Sequence, residues 1–270
     1  AVIGFVYSFL GGEPGWKIFN PDTRVNHWYL TTFTNAKIGN FIRPAGIFDE
    51  PGAFSFFICA VCALRLHYKF SPLMTFMMMF LGMVTTSLTH VICFLLFLIP
   101  ILKQSNRRQF KIIVFVSVLV VLITIIFFYE AFDRLLFQRF EFDSTKNTLK
   151  GNSRAGQIES CLRSIKENGF LFGNYSLGAD EIRRRYGSIG ENPLSCLALN
   201  GLFNSVLYYL LLFFALFAFI FSLKIDYLVI FLLFLQRPYQ SQLGYSFFFV
   251  HYLFLSYKEI IVHIKNHYFV

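Results

Sequence analysis

The residues best equipped for chemistry in this chain are arginines. Arg24, Arg43, Arg134, Arg139, Arg154, Arg163, Arg183, Arg184, Arg185 and Arg237 all lie in polar segments or at the ends of apolar ones. A guanidinium offers a planar fork of donors that fits two oxygens of one phosphate, so this side chain suits a pyrophosphate clamp. Arg237 stands apart. It sits in a tight turn, Gln236-Arg-Pro-Tyr-Gln-Ser-Gln-Leu-Gly244, between two apolar runs with no other formal charge nearby. Such a cation needs an anion or a set of acceptors to hold it. The second informative stretch is Arg43-Pro-Ala-Gly-Ile-Phe-Asp-Glu50-Pro-Gly-Ala-Phe. Pro51 suits the first position of a helix, and Glu50 beside it complements the helix dipole. Capping accounts for Glu50 and Pro51 but leaves Arg43 unexplained.

Other signatures are missing. There is no Gly-Lys-Ser/Thr phosphate loop, no G-x-G-x-x-G, no H-E-x-x-H and no D-x-D. Glu141 and Asp143 form only an E-x-D. Cys59 and Cys62 make a C-x-x-C inside an apolar run, where both read as small core residues rather than a redox pair. Cys161 and Cys196 could meet outside the membrane, which no spacing in the sequence decides. No carboxylate, Lys or Arg falls in the middle of an apolar run, where a proton-coupled transporter usually keeps one. His90 and His251 read as hydrogen-bonded structural residues.

The elements that must position these groups are set by composition. Hydrophobic residues make up 56% of the 270, aromatic residues 20% and charged residues only 14%, with 37 Phe and a net charge of +9. Soluble domains carry about 25% charged residues, so the apolar surface here calls for lipid as its solvent. The uncharged runs are Ala53–Leu64, Phe70–Leu102 (33 residues, His90 aside), Ile112–Tyr129, Pro193–Leu223, Tyr227–Gln236 and Pro238–Tyr257. As one helix the 33-residue run would be about 50 Å long, against a hydrocarbon core of about 30 Å. The polar Thr85-Thr-Ser-Leu-Thr-His90 at its middle predicts a hairpin. Charge agrees: Arg65 and Lys69 precede the run, Lys103, Arg107, Arg108 and Lys111 follow it, and short basic loops stay on the inner side.

The expected fold is therefore all-α and polytopic. About eight crossings are expected: a partial first one ending near Leu10, then 52–66, 70–86, 87–102, 112–129, 194–222, 225–236 and 242–257. Residues 11–50 and 130–192 are outer loops of a single membrane domain over 1–270. The chain opens on ten apolar residues with no basic leader, which predicts a fragment beginning within a helix and lacking earlier spans. In the larger loop, 130–143 suits a helix lying in the membrane interface. Ser153 can cap a short helix with Ile158, Leu162 and Ile165 on one face and Gly169 at its end. On this topology the inner side holds nine basic residues against two acidic, and the outer side fifteen against thirteen. Most of the +9 is thus an orientation signal, with no nucleic-acid partner implied.

Taken in order, Arg43-x-x-Gly-x-Phe-x-Glu50-Pro-Gly at the mouth of a span, then Ser153-Arg154 with a short helix and Phe170-Leu-Phe-Gly173, then Glu191-Asn-Pro-Leu-Ser-Cys-Leu-Ala-Leu-Asn-Gly201 opening a long span resemble the O-antigen polymerases and related polysaccharide polymerases. The likeness runs from about Asn35 to the C-terminus. It implies a metal-independent, cofactor-free glycosyltransferase of the bacterial inner membrane with its site facing the periplasm. Its substrates would be repeat units on undecaprenyl pyrophosphate, and a chain-length regulator would be a partner beside the lipid bilayer. The related O-antigen ligases carry His-Asn and, about nine residues on, Gly at the loop-to-helix junction. Here Glu191 stands in the His position and eight residues separate Asn192 from Gly201, which favours polymerase over ligase.

The chemistry of such a reaction then points to candidate roles. Arg43, Arg154 and Arg237, with Arg163 behind them, would bind the pyrophosphate, stabilising the leaving group in place of a metal. Glu50 or Glu191 would be the catalytic base that takes the proton of the acceptor hydroxyl. The competing readings are ligase and a non-catalytic transporter or flippase.

Overall fold

A computed structural model describes residues 1–19, 25–38, 41–127, 142–143, 148–149, 155–168, 170–174, 179–238 and 243–268. Of the described residues 72% are helical, and the chain divides into two compact units, Ala1–Asp143 and Ser144–Val270.

The first unit opens with helix α1 (Val2–Phe9) and then a feature the sequence reading left as loop. Strands β1 (Trp16–Phe19), β2 (Val25–Tyr29) and β3 (Thr32–Thr34) form an antiparallel meander, and β4 (Lys37–Ile38) pairs with β5 (Phe41–Ile42). These stretches are rich in aromatic and β-branched residues, which suit a pleated surface. The register puts Trp16 opposite Trp28 and Trp28 opposite Phe33. Helix α1 rests on the sheet through Gly4, whose backbone N–H donates to Thr31 Oγ1 at 3.0 Å. A Cβ there would meet the Tyr29 carbonyl at 2.2 Å.

Helices α2 (Pro51–His67), α3 (Pro72–Gly82) and α4 (Leu88–Gln104) pack together, followed by α5 (Arg107–Phe127). Their starts carry ordinary signals. Pro51 and Pro72 stand at N1, and Ser71 accepts from the Met74 N–H. Asn106 and Gln109 exchange side-chain-to-backbone bonds at 2.9 and 3.3 Å, a capping box at the head of α5. Between α3 and α4 the chain tightens into a 3-10 turn, Met83–Thr85, and reverses at Thr86, whose φ is +47°. The polar interruption thus makes the hairpin expected of it. His90 is buried among the three helices, with Nε2 2.7 Å from the Met79 carbonyl and Nδ1 3.1 Å from Ser55 Oγ.

The second unit holds α6 (Ala155–Asn168), α7 (Ala179–Tyr186), α8 (Ser195–Ser222), α9 (Ile225–Gln236) and α10 (Leu243–Tyr268), with α9 and α10 both packed on α8. Among the described residues, Ser195–Ser222 and Leu243–Asn266 are long and apolar enough to cross a membrane. Pro51–His67, Pro72–Thr85, Leu88–Gln104 and Ile225–Gln236 are apolar but shorter. A 17-residue helix spans about 25 Å, short of a core of about 30 Å. Phe142–Asp143, expected as the end of an interfacial helix over 130–143, is instead a short strand; the rest of that segment lies outside the described residues, as does Ser153.

Helix α6 faces differently from the sequence expectation. Ile158 and Leu162 are 38% and 54% exposed, while Ser160, Cys161 and Ser164 are buried. Only Ile165 of the expected stripe joins the cluster of Cys161, Ile182, Tyr186, Ile189 and Ala198. Small side chains let α6 approach the first turns of α8 closely, and that contact outweighs the stripe of larger residues.

Candidate functional site

Arg43 leaves β5 with its backbone held on both sides: its N–H donates to the Ala36 carbonyl at 3.0 Å, and its carbonyl accepts from Thr34 Oγ1 at 2.8 Å. The guanidinium reaches the α3–α4 turn. Nε donates to Thr86 Oγ1 at 2.7 Å and to the Thr85 carbonyl at 3.1 Å, and Nη2 lies 3.4 Å from the Thr86 carbonyl. Arg43 therefore fastens the first loop to the left-handed residue of the hairpin. Glu50 is the N-cap of α2 in extended conformation (φ −145°, ψ 152°), and its side chain does not cap the helix. Arg43→Ala is expected to destabilise the protein by about 2 kcal/mol, the scale of charged hydrogen bonds to turn acceptors. Thermal unfolding of the full chain checks this, and an unchanged midpoint contradicts it.

In the second unit two of the candidates, Arg237 from the turn between two spans and Glu191 from the junction before a long one, meet. Arg237 Nη1 lies 3.0 Å from Glu191 Oε2, with 13% of the arginine side chain and 40% of the glutamate exposed. Arg237 ends α9, its N–H donating to the Leu233 carbonyl at 3.1 Å. Adjacent tyrosines of α8 hold the two segments that carry the pair. Tyr209 OH donates to the Pro193 carbonyl at 2.9 Å, and Tyr208 OH donates to the Phe234 carbonyl at 2.8 Å. Sequence reasoning missed both. The available signal was a Tyr-Tyr step in an otherwise apolar span, since a buried phenol needs an acceptor.

Asn192, fully buried, secures the approach to α8. Its Oδ1 accepts from the Leu194 N–H at 3.0 Å, and its Nδ2 donates to the Ile189 carbonyl at 2.7 Å and to Cys161 Sγ at 3.4 Å. Asn174, also buried, donates to Ser164 Oγ and to the Ala198 carbonyl. Beside it the chain 170–174 crosses α8 backbone to backbone. The Leu202 N–H meets the Phe170 carbonyl and the Asn174 N–H meets the Leu199 carbonyl, each at 3.0 Å. Helix α8 breaks at this crossing, where Gly201 takes φ +69° and ψ 176°.

The remaining candidates are less connected. Arg163 is solvent-exposed on α6 and pairs with Glu159 at 3.3 Å, a contact of small energetic consequence. Arg154 lies outside the described residues. Arg184 and Arg185 face Glu181 on the exposed side of α7, and that carboxylate raises the Arg185 pKa. Among the described residues no three His, Cys, Asp or Glu side chains gather in a way that would hold a metal.

Burial pushes the Cys161 thiol above its usual pKa, opposed in part by the Asn192 hydrogen bond. A raised thiol pKa favours the folded state below the ordinary value of about 8.5, and that contribution is lost as pH rises through the folded value. Cys161 in the folded protein is therefore expected to react with iodoacetamide at pH 8 at least tenfold more slowly than in urea, as peptide mapping would measure. Equal rates would contradict its burial.

Comparison with protein-family models, with curated proteins and with solved structures returned no match.

Proposed function

We propose that this chain is a polytopic membrane glycosyltransferase. It would polymerise undecaprenyl-pyrophosphate-linked oligosaccharide repeat units into O-antigen, capsule or exopolysaccharide at the periplasmic face of the bacterial inner membrane. The observation that carries the reading is the Arg237–Glu191 contact of 3.0 Å. A clamp candidate and a base candidate, 46 residues apart in sequence, meet where one apolar helix ends and another is about to begin, the guanidinium shielded and the carboxylate partly exposed. In the resting protein Glu191 neutralises Arg237. An arriving pyrophosphate would compete for the guanidinium, freeing the carboxylate to accept the proton of an incoming hydroxyl as the phosphate leaves. Arg43, Arg154 and Arg163 remain further clamp candidates and Glu50 the alternative base.

The topology belongs to the same proposal. It has eight crossings, with the turns at 66–70, 103–111 and 223–225 inside. The shorter apolar helices then cross with their ends shielded by neighbouring protein, as hydrophobic mismatch allows.

Carbohydrate profiling of a deletion strain tests the reading. Surface glycan reduced to single repeat units supports it. Free lipid-linked polymer assigns a ligase instead, and unchanged glycan removes the enzyme reading.

A further inference from the structure

A cavity of about 250 Å³ opens between α8 and α10 in the second unit. Asn204, Leu207, Tyr208, Tyr245, Ser246 and Phe249 line it. Tyr208 and Tyr245 are buried and form its floor, while Asn204, Leu207 and Ser246 are exposed at the rim. Among the described residues the lining carries no Asp, Glu, Lys, Arg or His, so none of them would recompense the desolvation of a charged ligand. It combines three aromatic rings with an amide and hydroxyls, so that apolar faces and orienting polar groups share the wall almost evenly. The volume lies below the roughly 300–1,000 Å³ of sites for drug-sized ligands, which suits one ring rather than a chain.

The walls are built. Tyr208 OH is fixed to the Phe234 carbonyl at 2.8 Å. Phe234 packs on Tyr245 with ring centroids 4.9 Å apart, and Tyr245 stacks with Phe249 at 6.2 Å. Preorganised aromatic faces lose little freedom on binding. Phe234, in contact with both Tyr208 and Tyr245, lies about one helical turn before Arg237, the residue that ends α9. Building on the reading above, we infer that this cavity is a subsite for an uncharged pyranose, the sugar ring beside the pyrophosphate that Arg237 would hold. The ring's axial C–H face would lie on Tyr245 and Phe249, with its hydroxyls meeting Asn204 and Ser246.

Two other ligand chemistries fit less well. A phosphate would find no cation in the lining, and an isoprenoid tail would bury the amide and hydroxyls without partners.

The test is saturation-transfer NMR on the full chain in nanodiscs, using the methyl glycosides of glucose, galactose, mannose, rhamnose and N-acetylglucosamine. At least one is expected to show ring-proton saturation. Asn204→Leu and Phe249→Ala should each weaken its binding at least tenfold, and equimolar farnesol should not displace it. Asn204 is at the exposed rim, so its variant keeps the test open if Phe249→Ala fails to fold. Three results would overturn the subsite: no saturation with any sugar, equal binding by both variants, or displacement by farnesol. Sugar binding without chain extension by the wild type would instead remove the polymerase reading and leave the subsite. Chain extension without sugar binding would do the reverse.

Discussion

Arg237→Ala is expected to lower chain extension by a factor of about a hundred or more, the scale seen when one preorganised donor to a developing negative charge is removed. The guanidinium is only 13% exposed and sits 3.0 Å from Glu191, so an anion taking the place of that carboxylate would meet a cation shielded from water and strengthened by that shielding. Arg237→Lys should fall between, because it keeps the charge and loses the two-pronged fork. The partner discriminates base from anchor. Glu191→Gln preserves shape and hydrogen bonding to Arg237, so a merely positional Glu191 would leave the rate within a few fold of wild type, whereas a base would lose activity as fully as Arg237→Ala. Removing one partner of a part-shielded ion pair also costs stability, so melting temperatures of both variants are compared with wild type alongside. Chain lengths profiled from complemented strains, at matched membrane protein levels, read the result. Wild-type lengths from Arg237→Ala would sink the clamp.

Gly201→Ala is the substitution with the largest expected effect on stability. Its φ of +69° with ψ 176° lies in a region that glycine alone occupies readily. An added Cβ would stand 2.4 Å from the Leu171 carbonyl oxygen and 2.5 Å from the Gly173 nitrogen, both backbone atoms that cannot swing aside. Strain of about 1–3 kcal/mol is the direct part. Separation of 170–174 from α8 adds the loss of the hydrogen bonds to Leu199, Leu202 and Phe203. The sum is roughly 3–5 kcal/mol, or about 10 °C in the melting temperature of the full chain. Gly173→Ala should behave alike, because its Cβ would lie 2.3 Å from the Gly201 nitrogen. Gly156→Ala is the control: it has open space around it on α6 and should be neutral or slightly stabilising. Melting temperatures equal to wild type in Gly201→Ala would contradict the crossing.

What could be read from the sequence follows from the range of the interactions involved. Helix α9 runs over 225–236 and α2 over Pro51–His67, at or within one residue of the crossings expected at 225–236 and 52–66, because charge at a span's ends and proline at its start are local signals. The hairpin at Thr85–Ser87 was legible for the same reason. The meander in 11–50 was not, because strands of three to five residues have too little alternation to stand out from a loop. The α6 face was misread because burial there selects Cys161 and Ser164 for their small size, a demand set by α8 and invisible in the helix itself. Gly173 and Gly201 were both visible as glycines closing motifs. That each occupies the space the other's side chain would need depends on a contact 28 residues apart. Arg237 and Glu191 were singled out separately, and their meeting depends on Tyr208 and Tyr209, which no charge pattern announces.

The central claim is tested most directly by reconstitution. The full-length protein, in proteoliposomes with undecaprenyl-pyrophosphate-linked repeat units and EDTA, is expected to convert them to a ladder of longer lipid-linked glycans. Arg237→Ala in the same vesicles should leave single repeat units. Repeat units that stay unextended with the wild-type protein, or a ladder undiminished by Arg237→Ala, would contradict the account.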